Sequence, residues 1–581
     1  MAGLARPRHH ALLYAGTAGL LLLFALGLLH GIAEVWRLGH EGWMGASFAQ
    51  AARNSLRHGV LGQAWHHLAW APPAKEAFYT HHPLGVHAHL VLLQALLGEH
   101  PAIARCLPVA YSLACAGLLW RIGSCHWGPR AGLLTLAVFI SMPLTTVFGR
   151  TATHEQGGLF WSLLFVHSYL RSNAHCRPRR AVLVALSLSM ACQYDYPAYY
   201  LAYFVFCHLL ARAAGSAPTE ARRLQRGAVA LALLTLANLA LFFTLVHHIR
   251  GLDDLIASFS HRRQHPAQLQ TQLRTYLMEL FGPVYLALTA LWLLGSVHRL
   301  WRGQARRRDL WPWFFVAAEL VHIRAFPSAA NYHAYWLYPL TPAVSLASGA
   351  VLDRGCSALE TWLSRRRSPS PSGRGIRAAA AVAALPSLLV ILAAGALHLQ
   401  QVLPHLPRYW ATGGSPLPNY NAGIEVQRWA RHWRKRHPGT PPVFIVDHSV
   451  QPGGIQLGYH LDAPFVHTDA LLADPAHIIA QTPGAMRALL LFDRHHLDPG
   501  RLPQVVARAR NLRAEVWDQR FLLLDPAKPG RAAPTASWVS QAHAKPWWWS
   551  WLRHAKRGPL SLRAQSRPPS LETWLSPPSA D

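Results

Sequence analysis

Acids are scarce in this chain, so the places where they fall carry information. Of 581 residues only 26 are Asp or Glu, against 55 Lys or Arg, giving a formal charge of +29. Glu41 follows the first strongly apolar run, between His40 and Gly42, and Glu155 follows His154 just ahead of another apolar run. Glu319 lies inside a third, at helical spacing from His322 and Arg324. Arg105, Arg150, His81, His82, His333, Tyr335 and Tyr338 stand at the ends of such runs or just within them. A charge in a membrane, or at its mouth, is costly, and the default reading is that it has a function. Carboxylates there accept protons, guanidinium groups hold anions in a two-pronged grip, and imidazoles can do either. Four stretches supply these groups: 37–59, 79–105, 149–155 and 319–338.

The elements that must position them follow from the apolar runs. The chain is 51% hydrophobic, and its runs repeatedly reach the roughly 20 residues that a hydrocarbon core demands. Arginines cluster between the runs, which fits membrane topology and argues against nucleic-acid binding. If every cluster is cytoplasmic, spans fall near 11–31, 102–120, 131–148, 156–170, 181–193, 196–211, 227–247, 282–298, 310–324, 333–352 and 378–398. These eleven spans put the N-terminus in the cytoplasm and the C-terminus outside. The first run reads as a retained anchor rather than a cleaved signal. The run 82–98 reads as a helix on the outer interface, because a further span there would invert every later cluster. The run 181–211 crosses twice, turning at QYDYP, and LQTQLRTYLMELF in the loop 249–281 reads as another interfacial helix. The aromatic residues of HAYWLYP read most simply as an interfacial belt.

The fold class expected is therefore mainly α: a polytopic membrane bundle over 1–399, with an outer loop at 32–101. A small extracytoplasmic α/β domain over 400–525 is expected to follow it. In that domain PVFIVD and RALLLF read as buried strands, while AGIEVQRWARHWRKRH and RLPQVVARARNL read as helices. A Pro-, Trp- and Arg-rich tail occupies 526–581. The seven cysteines show neither a disulfide framework nor zinc spacing. A divalent metal held by His81 and His82, with Glu76 or a histidine of the 249–281 loop, is conceivable, but the residues alone assign no metal ligand.

Several stretches, taken in order, resemble the GT-C glycosyltransferases, in particular the protein O-mannosyltransferases and lipid A aminoarabinose transferases. They are EGWMGASFAQAARNSLRHG after the first span, YTHHPLGVHAHLVLLQALLG, ARCLPVAYSLACAG, FGRTATHEQGGLFW and ANYHAYWLYPLTPAVSLASG. The resemblance covers roughly residues 10 to 400. It implies a membrane glycosyltransferase, most simply of a bacterial inner membrane, working on the periplasmic face. Such an enzyme takes a sugar from a polyprenyl-phosphate carrier and transfers it to a lipid, glycan or protein acceptor, usually with inversion. It also implies that Glu41 acts as general base and that Glu155 is the acid of the second outer loop. His82, Arg105, Arg150, Arg324, His333, Tyr335 and Tyr338 would line the carrier phosphate or the sugar. The sequence departs from the family pattern at His40-Glu41, at Glu155 in place of Asp, and at His81-His82 where a Lys or second Pro can stand. Two rival classes are a transporter or lipid flippase, and a non-catalytic relative that binds carrier lipid.

Overall fold

The computed structural model describes residues 6–33, 36, 40–59, 80–171, 178–249, 251–304 and 307–366. It also describes five strands between 442 and 529 and the isolated residues 396, 435 and 459. The chain divides into two compact units, one of 1–34, 51–67 and 73–409, the other of 35–50, 68–72 and 410–581.

The first unit is helical. Its elements are α1 (Arg6–Leu29), α2 (His40–His58, which begins in the second unit), α3 (Gly85–Leu97), α4 (Pro101–Trp127), α5 (Pro129–Ser141), α6 (Pro143–Phe148), α7 (Glu155–Arg171) and α8 (Pro178–Tyr194). There follow α9 (Pro197–Ala214), α10 (Pro218–His248), α11 (Leu252–Arg262), α12 (Leu269–Leu280), α13 (Pro283–Trp301), α14 (Leu310–Ala325), α15 (Pro327–Tyr332) and α16 (Thr341–Arg366). Proline starts half of these helices. It lacks the N–H that a first turn leaves unbonded, and its φ is already helical.

Among the described residues, three helices, Pro101–Trp127, Pro218–His248 and Pro283–Trp301, are long and apolar enough to cross a membrane. On α10 and α13 the apolar side chains Leu233, Leu236, Leu291 and Leu294 are exposed, as hydrocarbon surroundings allow. The interior is built where α4, α5, α7 and α16 pack on one another, with α7 against α8. Arg130 at the start of α5 ties this core to the middle of α16, its Nε donating to Asp353 Oδ1 at 2.6 Å.

The turn expected at QYDYP is present: α8 ends at Tyr194 and Pro197 starts α9. The stretches expected as helices at 82–98 and 269–281 form α3 and α12. Two expectations need correction. The run 131–148 is not one helix; it breaks at Met142, whose extended backbone (φ −71°, ψ 128°) is what a following proline imposes. HAYWLYP is not an exposed belt at the head of a span: Ala334–Leu340 is a 3-10 helix whose Tyr335, Trp336 and Tyr338 are buried, and α16 begins only at Thr341. The last expected span, 378–398, and the C-terminal tail, 526–581, lie outside the described residues, apart from the isolated Ala396 and the residues to Pro529 that end β5.

In the second unit, PVFIVD and RALLLF supply β1 (Pro442–Val446) and β3 (Arg487–Asp493). With β2 (Phe465–His467), β4 (Leu512–Trp517) and β5 (Phe521–Pro529) they make a mixed sheet in the order β2-β1-β3-β5-β4. β1 runs parallel to β2 and β3, while β5 is antiparallel to β3 and β4. The helix expected over AGIEVQRWARHWRKRH lies outside the described residues, apart from the isolated Lys435. The helix over RLPQVVARARNL lies outside them too, except for Leu512, which opens β4. Trp36 is fully buried and lies edge-on to Tyr459, ring centroids 6.1 Å apart.

Candidate functional site

Short turns bring the candidate residues to one end of the first unit. His82 sits in the turn before α3. Two residues beyond Pro83, Gly85 lies so close to α8 that a Cβ would come 2.5 Å from the Gln193 carbonyl oxygen. His154 and Glu155 form the entry to α7, and Glu155 is its first residue, where a carboxylate complements the positive end of the helix dipole. Gly157 rests on the Tyr194 ring at a distance that would leave a Cβ only 2.1 Å away. Tyr194 is itself held in place, donating to the Tyr111 hydroxyl at 3.0 Å and meeting His89 Nδ1 at 2.8 Å. Asp195 occupies the turn between α8 and α9 and accepts the Tyr196 N–H at 2.8 Å.

These turns converge. His82 and His154 stack, with ring centroids 3.8 Å apart and 28° between their planes. His82 Nδ1 lies 3.3 Å from Asp195 Oδ1. His154 Nε2 lies 3.0 Å from Glu155 Oε1 and 3.9 Å from Asp195 Oδ1. All four side chains are buried. Burial works against a charged His154, but Glu155 and Asp195 more than offset it and hold its pKa above the ordinary value. Burial would push Glu155 up, yet His154 holds it below the usual carboxylate range. Burial raises Asp195. His82 is driven well below its ordinary value, by burial first and by the neighbouring His154 next. The balance is one imidazolium–carboxylate pair beside a neutral imidazole.

A second layer rests on this cluster. Arg262, from the end of α11, brings Nη1 to 3.4 Å from His82 Nε2 and lies over Trp336, 5.8 Å from the ring centroid. Trp336 stacks on His322 at 4.3 Å, and His322 Nδ1 lies 3.7 Å from Glu319 Oε2. Neither carboxylate oxygen of Glu319 has a hydrogen-bond partner among the described residues. A small cavity runs from Glu155 and Asp195 to Ser162, Phe315, Ala318 and Pro339.

The other residues expected from the sequence lie as follows. Arg105 is buried and donates from Nη1 to the Ile32 carbonyl at 2.9 Å; Arg150 donates to the His30 carbonyl. Both therefore grip the chain where α1 ends. Arg324 does not pair with Glu319; it is exposed and its Nη1 is 2.8 Å from His265 Nε2. His333 stacks on Tyr335, which packs on Phe148, and the Tyr338 hydroxyl is 3.5 Å from Ser112 Oγ. Glu41 is buried in the first turn of α2, within the second unit. Sequence reasoning did not place His154, Asp195 or Arg262 in the centre. The signal for Asp195 was its position in the QYDYP turn.

His82, His154 and Asp195 offer ligand atoms that all lie within 4.8 Å of one another. Two imidazoles and a carboxylate form a donor set suited to zinc or a similar divalent ion.

A bundle of apolar helices, three of them among the described residues long and apolar enough to cross a membrane, is that of an integral membrane protein. The fold is similar to that of ArnT from Cupriavidus metallidurans in the apo state, with TM-score 0.58 and 14% identity over 88% of this chain and 98% of that one. ArnT bound to undecaprenyl phosphate matches with TM-score 0.56 and 13% identity over 87% and 97% of the two chains. The oligosaccharyltransferase AglB from Archaeoglobus fulgidus, in complex with an inhibitory peptide and a dolichol-phosphate, matches with TM-score 0.50 and 11% identity over 86% and 72%. No family model matches the sequence, and no curated protein matches it.

Proposed function

We propose that the chain is a membrane glycosyltransferase that moves a sugar from a polyprenyl-phosphate carrier onto an acceptor hydroxyl at the extracytoplasmic face. The observation that carries the reading is the buried cluster of His82, His154, Glu155 and Asp195 at one end of a GT-C fold. ArnT with undecaprenyl phosphate and AglB with dolichol-phosphate have similar folds, which supports a lipid-phosphate donor.

In this reading the acceptor oxygen attacks the anomeric carbon as the bond from that carbon to the phosphate oxygen breaks. The proton of the hydroxyl passes to a carboxylate, and the carrier leaves as a phosphate monoester with one more negative charge. The configuration at the sugar inverts. Glu41 is assigned as the general base. Glu155, kept ionised by His154, orients the acceptor or shares that task. Arg262 and His82 face the leaving phosphate, where cationic and N–H groups stabilise the growing charge. A divalent cation held by His82, His154 and Asp195 would add Lewis-acid charge at the same place. Arg105 and Arg150 act through the end of α1 rather than on the phosphate, and the five-stranded sheet belongs to an extracytoplasmic α/β domain.

The test is transfer from a labelled polyprenyl-phosphate sugar in membranes that hold wild type, Glu41→Gln or Glu155→Gln. Each variant should keep carrier binding and lose turnover by two orders of magnitude or so. Undiminished transfer by Glu41→Gln would remove it from the base position.

A further inference from the structure

The bundle end remote from this cluster holds a second concentration of basic side chains, four arginines and two histidines. Arg121 and His126 lie in the last part of α4, His167 and Arg171 in the last part of α7, Arg180 in the first turn of α8, and Arg308 just before α14. The Trp311 indole links the two histidines: its Nε1 donates to His126 Nε2 at 2.8 Å, and its ring lies 6.0 Å from that of His167. Arg308 Nη1 donates to the His126 carbonyl at 3.1 Å, and Arg180 Nη1 to the Arg171 carbonyl at 3.0 Å. Arg171 and Arg308 both act electrostatically on the His126 ring, as Arg121 and Arg171 do on His167.

Nothing in the neighbouring sequence balances them. The stretches 118–132, 166–181 and 298–308 contain no Asp or Glu. Asp309 is engaged by Arg299 Nη2 at 2.7 Å, and Arg121 and Arg171 form no ion pair among the described residues. Topology alone would ask only for exposed charge. Here His167 is 8% exposed with no hydrogen-bond partner for Nδ1, and the buried Nε of Arg308 likewise has none among the described residues. Unmet nitrogens beside unpaired guanidinium groups are what an anionic ligand would complete. Immediately beyond Arg180 along α8, Val182, Leu183 and Leu186 are exposed. An apolar strip leading away from the cations suits a ligand whose phosphate carries acyl chains better than free phosphate.

We propose that this cluster binds the phosphate of an anionic phospholipid headgroup, with acyl chains along the Val182–Leu186 face of α8. The purified full-length protein in neutral detergent would be titrated with phosphatidylglycerol, phosphatidylcholine or inorganic phosphate, with retention read by native mass spectrometry and protection by thermal melting. Wild type should retain phosphatidylglycerol over phosphatidylcholine. The double variant Arg121→Gln/Arg171→Gln, altered only at exposed positions, should bind phosphatidylglycerol roughly tenfold or more weakly, as loss of two interfacial charges implies. A second double variant, Arg222→Gln/Arg223→Gln on α10, should bind as wild type does. Equal affinity in the first variant overturns the proposal. So does an equal loss in the second, or full protection by inorganic phosphate.

Discussion

His82 lies face to face with His154, ring centroids 3.8 Å apart, and the same Asp195 carboxylate oxygen stands 3.3 Å from one ring and 3.9 Å from the other. Two stacked imidazoles this deeply buried cannot both be charged without large cost. A divalent cation held by both rings and Asp195 would displace the proton from His154, since only a neutral imidazole ligates a metal. Protein purified without chelator is expected to carry roughly one divalent ion per chain, as a site of this donor set would hold. Asp195→Asn should lose that ion while keeping its melting temperature in chelator. Elemental analysis decides; ion-free wild type, or undiminished metal in the variant, refutes the site.

Gly157 permits the approach of α7 to Tyr194, so Gly157→Ala should be felt at once. The added methyl would stand 2.1 Å from the Tyr194 ring, and relief requires either the ring or the start of α7, with Glu155, to move. Overpacking of this kind costs about 1–3 kcal/mol. Gly27→Ala on α1, where a Cβ meets nothing within 4 Å, should not lower the melting temperature. Equal melting of the two variants would contradict the close packing.

Arg105 provides a way to separate support from substrate contact. Its buried guanidinium donates to the Ile32 carbonyl, so Arg105→Met should lower stability by roughly 2 kcal/mol, mainly through the unmet carbonyl. The donor KM should rise less than twofold. A large KM increase with unchanged melting would return Arg105 to the phosphate, as the family resemblance implied.

Glu319 is buried with both carboxyl oxygens lacking hydrogen-bond partners among the described residues, an arrangement that works against folding. Glu319→Leu should therefore raise the melting temperature, by an amount corresponding to about 1–3 kcal/mol. Transfer assayed on the same preparation separates the roles. If the variant melts higher and retains full activity, Glu319 has no part in the reaction; if it melts lower, the carboxyl has a partner that the described residues lack.

Local features were legible from the sequence wherever one residue type forces them. Pro197 after Asp195 announced a turn, the apolar run 82–98 was too short for a further span, and PVFIVD and RALLLF had the composition of strands. Pro143 carried the same kind of signal, yet the unbroken hydropathy of 131–148 outweighed it and the helix break at Met142 went unread. Convergence was harder to see. Glu155 and His82 were singled out separately, but their meeting through His154 and Asp195 depends on how α3, α7 and α8 pack, which no local pattern encodes. Arg262 drew no notice in the sequence, because only the fold brings it over Trp336. The 3-10 geometry of HAYWLYP was hidden for a similar reason: aromatic side chains suit an interface and a packed interior equally well.

The paired grip on the end of α1 constrains how that helix can move. Arg105 fastens the Ile32 carbonyl and Arg150 that of His30, so a piston-like slide of α1 along its axis would break both bonds together. A rocking motion pivoted at that end would keep them. Thermal breathing of the first helix should thus swing its opposite end, leaving the pivot still.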